Sequence, residues 1–290
     1  MLWTKENIRQ IEPKCNGIQA LWCPKVGNIN WGTVTQSLGK EFQKNGGFIL
    51  LNNQVDVIKE SDTPDYPIFI KTKEGSILRS KYLVICGGLQ SQVLSNIVDE
   101  DSKRKSSLIS LRVDYLFLKT SSIGTNIYGV PDLTIPFLGV HITPRMDGGL
   151  LLGPNAVPAF KIEGYSNDEI NFIYLKDTIS SASFQNMTRR YFPQCFGQVK
   201  KALWPRFHIE ELLSLADISE KDIQEGPAAV LGQLVNNDGS FVDDFRIEFF
   251  EGKGIGSRVI NCKFLPSPAA TCSLAIAEYV GKKLFRQFEI

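Results

Sequence analysis

The 290 residues carry 32 basic and 31 acidic side chains, a formal net charge of +1, with 43% hydrophobic and 22% charged residues. That near-neutral balance gives no global electrostatic case for a nucleic-acid or membrane-surface partner, no apolar run approaches the roughly 18 residues that span a bilayer, and the length suffices for one large domain or two smaller ones. The six cysteines (Cys15, Cys23, Cys86, Cys195, Cys262 and Cys272) form no C-x-x-C, and there are only two histidines, His141 and His208, so metal sites and a disulfide framework are poorly supported and a reduced compartment is expected.

The opening stretch, MLWTKENIRQIEPKC, lacks the apolar core of a signal peptide and carries the acidic residues that transit peptides avoid. Thr4 caps a short helix, Lys5 to Ile11, that Pro13 stops. From Asn30 to Asn45 the apolar positions Trp31, Val34, Leu38 and Phe42 recur at helical spacing, and Asn45-Gly46-Gly47 ends that helix. Phe48 to Leu51 and Gln54 to Lys59 read as strands, and residues 66–72 and 76–79 as a hairpin across Glu74-Gly75. Lys81 to Leu89 is a short apolar run ending in Gly87-Gly88, followed by a helix from Ser91 to Val98. Such a strand–Gly–helix turn lets a ligand approach backbone N–H groups, although tight turns use glycine for backbone reasons alone. Residues 101–107 form a charged linker, and Leu108 to Lys119 alternates as a strand that includes Arg112.

Residues 127–156 concentrate the chemistry. Phe137, Leu138 and Val140 lead into His141, with Thr143 and Arg145 at alternate positions, so the three polar side chains share one strand face. Met146-Asp147-Gly148-Gly149 is a hairpin turn and Leu150 to Leu152 the returning strand. Two readings fit this cationic face: a solvated exterior, or a site for a small anion whose carboxylate meets arginine bidentately. Beyond it, residues 164–222 read as helical, with stretches around Asp168 to Ser180, Met187 to Phe192 and Glu210 to Ala216, Pro205 to His208 as a break and His208 structural. Gly226 to Gln233 is strand-like, and Phe241 to Phe250 is patterned as two short strands. EGKGIGS, residues 251–257, is not a dinucleotide fingerprint, because its spacing is wrong and it precedes a strand. Arg258 to Lys263 is a strand. Ser267 then caps a helix with Pro268 as its first residue, and the small residues there leave N–H groups accessible to an anion or an electron-rich ring.

Several segments taken together resemble the L-2-hydroxyglutarate dehydrogenases, FAD enzymes of the D-amino-acid-oxidase-like group. They are IEPKCNGIQALWCPKVG, VICGGLQS, IYGVPDLTIPFLGVHITPRMDGGLLLGPNAV with AFKIEGY, DIQEGPAAV with NNDGSFVDDF, and PSPAATCSLAI. The resemblance implies an α/β chain of mixed α+β character. It has a split Rossmann-like FAD domain (18–107 and 222–290) lacking its first βαβ unit, and a substrate domain (1–17 and 108–221) on a mixed, largely antiparallel sheet. It implies FAD as cofactor, with Val55 beside the adenine, Gly87 and Gly88 near the phosphates, and Pro266, Ser267, Pro268, Ala269, Ala270 and Thr271 at the flavin's pyrimidine edge. It implies that a hydride moves from C2 of L-2-hydroxyglutarate to the flavin, with His141 as base and Arg145, Thr143 and Arg112 facing a dicarboxylate. A quinone-type electron acceptor and a mitochondrial location, otherwise a cytoplasmic one, are implied in the same way; no nucleic acid and no transmembrane segment are expected.

The chain also departs from the family's pattern. It shows no G-x-G-x-x-G strand–helix start, which is expected of an incomplete gene model, a splice form or a fragment. Leu231 stands where the family has an arginine, Phe264 replaces a polar residue near the expected flavin, and Val113 replaces a glycine after Arg112. These departures make the alternative expectation a catalytically inactive truncated form or paralogue with weak or no FAD binding.

Overall fold

The computed structural model describes residues 2–98, 106–120, 122–131, 139–250 and 254–288. In chain order the elements begin with β1 (Leu2–Thr4), α1 (Lys5–Ile11), β2 (Gln19–Leu21), α2 (Trp31–Lys44), β3 (Val55–Glu60), β4 (Ile68–Thr72), β5 (Ile77–Ser80), β6 (Leu83–Ile85) and α3 (Ser91–Val98). They continue through β7 (Ser106–Leu118), β8 (Ile127–Tyr128), β9 (His141–Pro144), β10 (Leu150–Pro158), α4 (Phe172–Ser180), α5 (Ala182–Arg190), α6 (Phe192–Leu203) and α7 (Pro205–Leu215). The chain closes with β11 (Ile223–Asn236), β12 (Arg246–Phe249), β13 (Val259–Phe264) and α8 (Ser273–Phe288).

A five-stranded sheet in the order β11-β7-β10-β9-β8 organises the molecule, and every pairing in it is antiparallel. The residue alternation of β7 puts Leu116 and Leu118 beneath α7, where Ile142, Leu150, Leu152 and Leu212 close a core cluster. β11 hydrogen-bonds along its length to β7, so the boundary drawn at 222 falls just before a strand of this large sheet.

The second assembly is built around the parallel pair β6 and β13, with β12 antiparallel on the other side of β13. β13, between the other two strands, is buried on both faces, as parallel strands usually are. Ile85 and Val259 pack toward α3 and the three-stranded sheet β3-β4-β5. Ile260, Cys262 and Val84 pack toward Val280 and Phe288 of α8. α2 contributes no buried residue; Asn30 caps it by accepting from the Thr33 N–H at 3.1 Å.

Several sequence-based expectations change. Phe48 to Leu51 forms no strand, and Phe48 is 90% exposed, because an apolar run needs a pairing edge as well as propensity. Pro205 does not break a helix but starts α7 at its first turn, where a missing N–H costs nothing, so His208 lies within α7. α6 falls within the helical span 164–222 but extends well past the expected stretch at Met187 to Phe192. Only β12 forms between Phe241 and Phe250, with Phe241 bridging to Val235. The last helix begins at Ser273 rather than Pro268; residues 267–272 form turns closed by Ala269 N–H to Pro266 O (2.9 Å) and Cys272 N–H to Pro268 O (3.0 Å). Phe137 and Leu138, residues 101–105 of the charged linker and the first part of EGKGIGS lie outside the described residues.

Candidate active site

Two β-bulges place one tyrosine. β10 pairs Leu152 with Leu116 and then Asn155 with Asp114, while β11 pairs Glu225 with Leu116 and then Ala228 with Asp114. Each neighbour therefore sets two residues opposite the single Tyr115 of β7, and both times the two are a Gly-Pro pair, Gly153-Pro154 and Gly226-Pro227. Proline suits a position with no ladder bond to make. Glycine suits the close approach: a Cβ on Gly226 would lie 2.7 Å from the Tyr115 carbonyl oxygen, and one on Gly153 (φ +146°) 3.2 Å from the Tyr115 ring. Bulges of this kind re-aim side chains beside functional sites.

The Tyr115 and His141 rings meet edge to face, with centroids 6.3 Å apart, and Tyr128 stacks on the imidazole at 4.8 Å. His141 is buried and its Nδ1 lies 3.0 Å from the Gly139 carbonyl oxygen. A carbonyl only accepts, so in this contact Nδ1 carries the proton and Nε2 of the neutral ring holds a lone pair. Burial pushes the His141 pKa below its usual value, against the opposing effect of the Gly139 hydrogen bond, which favours the neutral ring. Burial, and then the neighbouring Tyr128, raise the Tyr115 pKa, so its phenol stays protonated. Neither tyrosine was singled out in the sequence; the two Gly-Pro pairs flanking a strand were the available signal.

Arg145 lies just past β9 with its guanidinium over the Phe117 ring, 5.6 Å from the centroid. Phe117 and Tyr115 are alternate residues of β7, so His141 and Arg145 are on one face, with the half-buried Thr143 between them. Arg145 is exposed and holds Asp147 bidentately, Nε to Oδ1 at 3.0 Å and Nη2 to Oδ2 at 2.7 Å. This pair raises the arginine's pKa and lowers the aspartate's. Arg112 sits on the opposite face of β7, buried, with Nε and Nη2 on the Asp114 carboxylate at 2.8 and 2.9 Å. The structure therefore brings His141, Thr143 and Arg145 together and keeps Arg112 apart from them.

The remaining candidates lie around the parallel strands. Gly87 and Gly88 follow β6 and precede α3, and a Cβ on Gly88 (φ +54°) would meet open space. Leu89 at this turn reaches the edge of the large sheet: a Cβ on Gly232 would lie 3.2 Å from its side chain. Ser267, Pro268, Ala270 and Thr271 are exposed, and among the described residues the Ala270 and Thr271 N–H groups have no hydrogen-bond partner. Val55 opens β3 and packs on the cluster that includes Ile58 and Ile85. Leu231, beside Gly232, is 45% exposed, while Val113 is buried and Phe264 is buried against Leu234 and Val242. Beside Phe264, Asn261 and Lys263 turn to the Glu248 carboxylate at 2.9 and 2.8 Å.

Residues 1–206 match the family described as FAD dependent oxidoreductase. The chain belongs to that family. It is 36% identical over 298 residues to the mitochondrial L-2-hydroxyglutarate dehydrogenase of Homo sapiens, covering 99% of this chain and 64% of that protein. Against the Caenorhabditis elegans mitochondrial L-2-hydroxyglutarate dehydrogenase it is 35% identical over 288 residues, covering 98% and 66%. Against an L-2-hydroxyglutarate dehydrogenase of the bacterium Indibacter alkaliphilus it is 32% identical, covering 98% and 70%. The chain thus spans 64 to 66% of the length of the animal relatives named here. Among solved structures, L-alpha-glycerophosphate oxidase from Mycoplasma pneumoniae with FAD bound superposes with a TM-score of 0.64 at 15% identity, over 100% of this chain and 64% of that one. Glycine oxidase from Bacillus cereus superposes with a TM-score of 0.60 at 15% identity, over 100% and 65%. These likenesses show the fold. The open Gly88 position just past a parallel strand and the Ala270 and Thr271 amides, which have no partner among the described residues, fit, in kind, an anionic and electron-rich cofactor.

Proposed function

We propose that the protein takes part in the FAD-dependent oxidation of L-2-hydroxyglutarate to 2-oxoglutarate. The observation that carries this reading is the buried, neutral His141, with Nδ1 anchored on Gly139 and a lone pair at Nε2, on the same sheet face as Arg145. In this reading FAD, when bound, supplies the acceptor for the hydride leaving C2. Nε2 of His141 accepts the proton of the C2 hydroxyl, and general-base help of this kind contributes about 10²- to 10⁴-fold. Tyr115 and Tyr128 hold the plane of the imidazole. Arg145 pairs with a substrate carboxylate, exchanging part of its contact with Asp147, and Thr143 lies beside it. Arg112 is a weaker candidate, because its guanidinium already faces Asp114.

In the same reading Gly87 and Gly88 approach the cofactor's phosphates, Val55 its adenine, and Pro266, Ser267, Pro268, Ala269, Ala270 and Thr271 the flavin's pyrimidine edge. Residues 18–107 and 222–290 form the FAD-binding portion and 1–17 and 108–221 the substrate portion, with β11 crossing into the substrate sheet. A quinone takes the electrons onward, and the compartment is the mitochondrion, as in the names of the animal relatives.

Leu231 favours a second reading, in which the fold persists without turnover. Its exposed aliphatic side chain offers no charge where a carboxylate partner is expected, and a missing partner for a desolvated carboxylate costs on the order of 2–5 kcal/mol. One titration separates the readings. The purified chain is mixed with FAD, and the flavin absorbance is followed under anaerobic conditions as L-2-hydroxyglutarate is added. Bleaching in the wild type, with retained flavin but bleaching slowed at least 100-fold in His141→Gln, supports the first reading. Flavin that binds but never bleaches, or that is taken up weakly or not at all, supports the second and overturns the first.

A further inference from the structure

β6 and β13 run parallel in register, Leu83 beside Val259, Val84 beside Ile260 and Ile85 beside Asn261. The next residue along each chain is a cysteine, Cys86 just past the end of β6 and Cys262 within β13. Cys262 packs on the α8 side with Val84 and Ile260, and continuing the β6 alternation by one residue puts Cys86 on that side too. Neighbouring strands lie about 4.7–4.9 Å apart, inside the 4.4–6.8 Å Cα separation over which a disulfide closes. The two residues differ in access: Cys86 is exposed, while Cys262 is buried beneath α8.

We propose that Cys86 and Cys262 form a reversible, peroxide-driven disulfide, with Cys86 as the attacking thiol and Cys262 as the thiol that resolves it. The pair is chemically graded for those roles. The neighbouring Cys262 thiol lowers the Cys86 pKa to about 7, against the opposing effect of burial. Cys86 in turn, and then burial, push the Cys262 thiol upward. A thiolate that is exposed, of low pKa and next to a second thiol has the properties of a redox-reactive cysteine. In the first step the Cys86 thiolate attacks hydrogen peroxide. An S–O bond forms, the O–O bond breaks, and hydroxide leaves to be protonated to water; Cys86 is oxidised by two electrons to the sulfenic acid. In the second step the Cys262 sulfur attacks the Cys86 sulfur. The S–S bond forms, the S–O bond breaks, and the leaving hydroxide takes up the Cys262 proton as a second water. A dithiol reductant reverses the product by exchange. The bond would tie β6 to β13 one residue before the Gly87-Gly88 turn.

The test uses the full chain, reduced and then exposed to hydrogen peroxide at neutral pH, quenched with an alkylating agent, and digested without reductant for mass spectrometry. The expected result is a cross-linked peptide joining Cys86 to Cys262, formed at least tenfold faster than the exposed Cys23 is lost to alkylation, and cleaved by a dithiol. In Cys262→Ala the reaction stops at a Cys86 sulfenic acid that dimedone captures; in Cys86→Ala, Cys262 remains reduced. The proposal is overturned if Cys86 is oxidised in the wild type without the cross-link, or if it reacts no faster than Cys23. The wild-type peptide map decides this even where a variant fails to fold.

Discussion

Asp147 is the residue through which the substrate face can be tuned. It holds Arg145 in an exposed, bidentate pair, and an exposed pair is worth only about 0–1 kcal/mol. Asp147→Ala should therefore leave stability nearly unchanged and lower KM for a dicarboxylate about two- to fivefold, read from steady-state kinetics; an unchanged or raised KM would remove Arg145 from substrate binding. His208 makes a different residue-scale case. It is buried on α7, its Nε2 has no hydrogen-bond partner among the described residues, and burial, helped by Lys201 and opposed by Glu211 and Asp114, lowers its pKa to about 4. The unfolded chain binds this proton at the usual histidine value of about 6.5, so as pH falls the unfolded state gains it first. Stability should be unaffected above that value and decline progressively toward pH 4, by on the order of 3 kcal/mol for this one group. Urea midpoints of His208→Gln and wild type compared at pH 7.5 and 5 check this: the variant should lose less on acidification, and equal losses would place the acid sensitivity elsewhere.

Among the elements, the paired bulges show what a sequence reveals and what it withholds. The strand alternation of residues 108–119, the hairpin around Asp147-Gly148 and the periodicity of α2 are local patterns, and they matched β7, β9–β10 and α2. His141, Thr143 and Arg145 were legible as one face for the same reason. Tyr115 was not, because its surroundings come from two strands, one about 40 and one about 110 residues downstream in the register. Phe48 to Leu51 has strand composition without a partner, and Pro205 reads as a stop until its place at a helix start is known. The final turns at 267–272 look like a capped helix because serine, proline and small residues serve both. If the bulges are the frame of the site, Gly226→Ala should act through them. The new methyl group meets the backbone of Tyr115 and Leu116, with the nearest atom at 2.7 Å, and overpacking of this kind costs typically about 1–3 kcal/mol. A lowered urea midpoint should be accompanied by altered near-ultraviolet circular dichroism from the tyrosines. A midpoint within experimental error of the wild type would mean that β11 is free to move away.

For the molecule as a whole, two assemblies meet where the Gly87-Gly88 turn touches β11, and α2 leaves apolar side chains such as Leu38 and Phe42 exposed. Exposed apolar surface of this extent favours contact with other surfaces, which bears on handling the chain in solution. The β7–β11 pairing has a further consequence, in the time domain. Ser106 pairs with Asn236 and Leu118 with Ile223, so roughly 100 to 130 residues separate the two strands, and pairings that distant are slow to close. At about 5–20 residues per second of synthesis, the β11 edge of β7 waits for on the order of 5–20 s with its N–H and C=O groups unpaired, the condition under which strand edges join other chains. A chain halted after residue 222 should then be recovered chiefly in aggregates or bound to chaperones, while the full chain is not. Tyr115 and its two Gly-Pro neighbours come together only when β11 arrives, so the candidate site is among the later features of the nascent protein to exist.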